Sequence, residues 1–76
     1  MDQATKDLIF KKIEELKELA KDTESPMILF MQEKDEKNGR HVAAYGSGKE
    51  VVSLIKDVAN HDAAIKKVLI IAVADL

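Results

Sequence analysis

The chain has no cysteine and no tryptophan, one proline and three glycines, and only three of its 76 residues are aromatic. Without cysteine there is no disulfide staple and no thiolate metal cluster, which leaves His41 and His61 as the strong nitrogen ligands. With so few aromatics the core must be aliphatic and modest in volume. Long hydrophobic runs are missing too: the longest, Val68 to Ala74, is seven residues, against the roughly 20 that span a bilayer. Neither sign of charge dominates. Twelve Lys and Arg face fourteen Asp and Glu, a formal charge of −2, so no global positive field attracts a phosphate backbone and general nucleic-acid binding is disfavoured. The opening MDQATKDLIFKK does not show the basic start and apolar run of a secretory signal. The expectation is a soluble cytoplasmic protein that does not enter a membrane.

Chains this short bury only about 60% of the surface their unfolded form exposes, which excludes a large enzyme fold. Such domains usually lean on disulfides, a metal or oligomerisation. Here that leaves regular helix packing or self-association.

No repeat, linker or low-complexity tract divides the chain, so residues 1–76 are read as one domain. From about residue 3 to 22, Ile9, Ile13, Leu16 and Ala20 recur at helical spacing, with Leu8 and Leu19 widening the stripe. Asp2 or Thr5 can cap the start. The outer face is charged, and pairs such as Asp7 with Lys11 and Glu14 with Lys17 suit it. Pro26 blocks continuation and pushes Ser25 toward an extended conformation.

Beyond Pro26 the period changes to that of strands, about 27–33 and 40–46, around Asn38-Gly39. That dipeptide predicts a type I′ hairpin turn, because both turn residues need positive φ. A two-residue turn there sets Lys37 opposite Arg40 and Gln32 opposite Tyr45. One face then carries Met27, Leu29, Met31, Val42 and Ala44, and the other Ile28, Phe30, Ala43 and Tyr45. Ser47 and Glu50 form a capping-box signature before a helix over about 48–59, with Val51, Leu54, Ile55, Val58 and Ala59 on its stripe. A last helix, about 62–75, follows a cap at Asn60 or Asp62, with Ile65, Val68, Leu69, Ala72, Val73 and Leu76 on one face. Val68 to Ala74 is β-branched enough to suit a buried strand as well.

Chemistry-bearing constellations are few. Gly46-Ser47-Gly48-Lys49 sits between strand and helix, where backbone N–H groups can meet an anion. The phosphate-loop pattern is incomplete, with Ala43 at its first glycine and Glu50 in place of the magnesium-binding hydroxyl. Ser47, Gly48 and Lys49 are therefore at most a weak anion site. Asp57 and His61 are spaced i, i+4 with Asp62 adjacent, but no further histidine or cysteine completes a metal site. His41 reads as a solvated side chain. No serine lies in a nucleophile elbow, the carboxylates read as solvated helix faces, and no catalytic, metal or cofactor-binding residue is nominated.

What exceeds the needs of one small core is apolar surface: Ile70 and Ile71 on the last helix, and Ile28, Phe30 and Tyr45 on the ribbon. The sequence thus predicts an α+β domain ordered helix, β-hairpin, helix, helix, its helices on one face of a two-stranded antiparallel ribbon. The function expected is that of a small interaction or structural module, self-associating as a dimer through those five residues or binding an unidentified protein. One alternative is a nucleic-acid-associated accessory protein using the hairpin tip and Lys49. Another is an anion-binding protein at the Gly46 to Glu50 turn.

Overall fold

A computed structural model describes all residues, 1–76, as α1 (Gln3–Asp22), β1 (Met27–Gln32), β2 (Arg40–Tyr45), α2 (Gly48–His61) and α3 (Ala63–Ala74). This is the α-β-β-α-α order that the periodicities predict, and Val68 to Ala74 is helix. No helix is long and apolar enough to cross a membrane.

Local chemistry sets the helix ends. Asp2 caps α1 by accepting from the Thr5 amide at 2.8 Å. The other end of α1 closes as a Schellman motif, with the Ser25 amide donating to the Ala20 carbonyl at 2.8 Å and the Glu24 amide to Lys21 at 3.2 Å. Glu24 holds the left-handed position of that motif at φ 52°. Within α1 the ion pair that forms is Lys12 with Glu15 at 3.5 Å, rather than Asp7 with Lys11 or Glu14 with Lys17. Asp62 ends α2 and caps α3, accepting from the Ile65 amide at 3.0 Å. α2 therefore runs through Asn60 to His61, past the end that the periodicity predicts.

The hairpin register differs from the one that Asn38-Gly39 predicts. Met27 pairs with Tyr45, Leu29 with Ala43 and Gln32 with Arg40. Neither Asn38 nor Gly39 has positive φ, so the type I′ turn does not form. Residues 33–39 instead make two successive turns, closed by the Glu36 amide on the Glu33 carbonyl at 3.3 Å and the Gly39 amide on Glu36 at 3.2 Å. Asp35 supplies the positive φ, at 62°. Gly39 is needed for space: a Cβ there would lie 2.9 Å from the Cβ atoms of both Glu33 and Glu36.

The changed register moves side chains between faces, because strand side chains alternate with period two. Tyr45 and Ala43 share the face of Met27, Leu29 and Met31, not that of Ile28 and Phe30. This is the packed face: Ala43 is buried, Leu29, Met27 and Tyr45 are half-buried, and α1 lies against β2. Phe30 and Val42 stand opposite one another on the other face, each 71% exposed.

Only four residues are buried: Ile13, Ala20, Ala43 and Glu33. Neither α2 nor α3 contributes one. α2 lies beside β1, and α3 packs chiefly against α2. The radius of gyration is 14.3 Å, where a compact chain of this length has about 11 Å. The molecule is an open, flat assembly of 37 × 33 × 19 Å.

Candidate interaction surface

Two stretches of apolar side chain lie open to solvent, and each follows from how its element is built. On the ribbon, Phe30, Val42 and Ala44 are exposed beside half-buried Ile28, because the opposite face is the one that packs. On α3, Val68, Ile70, Ile71 and Val73 are all more than half exposed, and Leu69 alone is half-buried. α3 is apolar around nearly its whole circumference, relieved by Lys66 and Lys67. A helix of that composition is ordinarily covered on several sides. Here α2 supplies one side, and a single residue, Asp62, joins the two helices.

Of the five residues proposed from sequence as a self-association surface, Ile28, Phe30, Ile70 and Ile71 lie on these two open stretches. Tyr45 does not. It is half-buried on the packed ribbon face opposite Met27, the direct result of the register.

The Gly46 to Glu50 turn is built as a cap. Glu50 donates its amide to Ser47 Oγ at 3.2 Å, and the Ser47 amide donates to Glu50 Oε1 at 3.0 Å. Two of the turn's amides, those of Ser47 and Glu50, are thus held within the chain by the capping box. The hollow beside it is lined by Glu24, Tyr45, Ser47 and Glu50 and contains no base. Gly46 is needed for its φ of 114°, whereas a Cβ at Gly48 would enter open space.

The Ser47 amide, followed by its hydroxyl, holds the Glu50 carboxyl below the usual glutamate range, and the Thr5 amide does the same for Asp2. A carboxyl whose folded-state pKa is depressed adds stability above its unfolded pKa, and that stability is lost as pH falls through the folded value. Acidification below the glutamate range should therefore loosen the first turn of α2. In Glu50→Gln, helical circular dichroism should follow a flatter acid limb than in the unaltered chain.

A polar pair missed by sequence reasoning sits at the hairpin tip. Glu33 is 6% exposed and accepts from His41 Nε2 at 2.9 Å, while its Oε1 has no partner. His41 is half-buried rather than solvated. The Glu33 amide donates to the Gly39 carbonyl at 2.9 Å, and Lys6 reaches Glu36 at 3.2 Å, so the loop is tied both to itself and to α1. Carboxylates are seldom buried unless paired, and the pairing partner lies eight residues away. His61 donates through Nδ1 to the Asp57 carbonyl at 2.7 Å, a bond within its own helix. No group of three or more potential ligands gathers to hold a metal.

No protein-family model matches the chain, and no curated protein or solved structure is significantly similar to it.

Proposed function

We propose that this chain is a small interaction module whose folded state is completed by a second copy of itself. The observation that carries the reading is the accessible surface, 6296 Å², where a compact monomer of 8.5 kDa exposes about 4,700 Å². The excess is roughly 1,600 Å² per chain, about twice what one partner contributes to a standard interface and within the range of obligate homodimers. It is apolar where it is concentrated, at Ile70 and Ile71 on α3 and at Phe30 and Val42 on the ribbon. A two-stranded ribbon is marginally stable at best, and no side chain in this molecule is fully buried. The lone chain therefore has little to offset its conformational entropy. The same reading places the module in the cytoplasm, where a chain that needs no disulfide loses nothing to a reducing thiol pool.

Association that stabilises the folded form makes unfolding depend on concentration. The thermal midpoint should rise by a few degrees for each tenfold increase in protein concentration. A midpoint that stays constant from micromolar to millimolar chain would overturn the reading.

A further inference from the structure

Two surfaces of this molecule complement each other in charge and cannot meet within one chain's observed packing, because α3 lies chiefly on α2. The first is the side of α1 turned away from the ribbon. There a nearly flat patch is lined by Phe10, Glu14, Glu15, Glu18, Leu19 and Asp22. Lys11 is the only base among its lining residues. The second is the open side of α3, where Lys66 and Lys67 lie beside Ile70 and Ile71. α3 contains no acidic residue in its 12 positions. Each surface combines exposed aliphatic or aromatic carbon with charge of one sign, and the signs are opposite. The open ribbon face offers α3 no such match, since its charged residue is Arg40.

We propose that α3 of one copy lies along the outward face of α1 in a second copy, and that the exchange is reciprocal about a two-fold axis. The proposal rests on the self-association argued above and says where it occurs. Run antiparallel, the two helices bring Ile70 and Ile71 to Phe10 and Lys66 and Lys67 to Glu14, with Glu18 one turn further along α1. One turn of helix rises about 5.4 Å, and four residues separate Phe10 from Glu14 just as they separate Lys66 from Ile70 and Lys67 from Ile71, so these spacings agree. An isologous arrangement uses each pair of surfaces twice and closes the assembly at two copies. It would cover the outward side of α3, which α2 leaves bare. Desolvating the lysines and glutamates beside apolar contacts makes their complementarity a determinant of partner choice.

The test exchanges the charges. Lys66→Glu/Lys67→Glu and Glu14→Lys/Glu18→Lys are made as separate chains, and circular dichroism checks the helical content of each. Each variant alone sets like charges against like across both interfaces, and its dimerisation should weaken at least tenfold in sedimentation velocity at low salt. An equimolar mixture restores opposite charge at both interfaces of the heterodimer, so it should regain dimers. Added salt should shrink the difference between the variants and the mixture. If the unaltered chain dimerises and both variants do so equally well, the placement is wrong while self-association stands. Weakened variants whose mixture stays monomeric overturn the placement likewise. If the unaltered chain is itself monomeric, both the placement and the reading beneath it fall.

Discussion

Ile71→Lys is expected to separate the copies while leaving each chain's own packing unchanged. Ile71 is 54% exposed, so no core within the chain depends on it. In the proposed dimer its side chain is covered, and fully burying an isoleucine side chain is worth about 1.5–3 kcal/mol. Just over half of that side chain remains to be covered and the two-fold axis presents it twice, so the loss is about 1.6–3.2 kcal/mol per dimer, roughly ten- to two-hundredfold in Kd. The measurement is light scattering after gel filtration across a concentration series, with thermal unfolding beside it. Dissociation should go with loss of the concentration dependence of the thermal midpoint. An unchanged mass distribution would place Ile71 outside any interface.

Ile13→Ala should be the most damaging truncation within the chain. Ile13 is the one large aliphatic residue that the fold buries, 9% exposed on the side of α1 that also carries buried Ala20. Removing its outer carbons costs the transfer term plus a cavity, about 2–5 kcal/mol. Small domains have little stability in reserve, often near the lower end of 5–15 kcal/mol. The variant should therefore be largely unfolded at room temperature, or lose a large part of its denaturation midpoint in urea. Leu16→Ala provides the contrast. Leu16 belongs to the same predicted stripe but is 47% exposed, and its truncation should cost about half as much or less. Equal effects at the two positions would mean that α1 is rotated from the orientation described.

The helices were legible in the sequence because their signals are local. Apolar spacing, a Ser47 and Glu50 box and an aspartate before each of two helices act over three or four residues, and Asp2, Ser47 and Asp62 do cap where such residues favour capping. The hairpin was half legible. Two strands and an antiparallel pairing follow from composition, but the register follows from the loop, and the loop was decided at a distance. Asn38-Gly39 is a strong local signal for positive φ, yet the chain places positive φ at Asp35 and uses Gly39 for close approach to Glu33 and Glu36. The reward for that choice is the Glu33–His41 bond, which ties the two strand ends across the tip. A buried carboxylate has no signature in a sequence rich in solvated glutamate. The displacement of Tyr45 to the packed face is a consequence of this one loop.

The surface on α3 was legible for a different reason. Its composition contradicts the amphipathic rule, since apolar residues continue past the stripe that a neighbouring helix can cover. Ile70 and Ile71 could be picked out without knowing where α3 goes. The complementary side of α1 could not, because its glutamates read as an ordinary charged face until Phe10 and Leu19 are seen exposed among them. Periodicity assigned Leu19 to the inner stripe, and the rotation of α1 on β2 leaves it 59% exposed.

Sedimentation equilibrium of the unaltered chain tests the central claim most directly. One folded species of twice 8.5 kDa at micromolar concentration, dissociating only on dilution, is the result expected of a fold completed by its own copy. A folded, cooperatively unfolding species of 8.5 kDa at every concentration up to millimolar would contradict it.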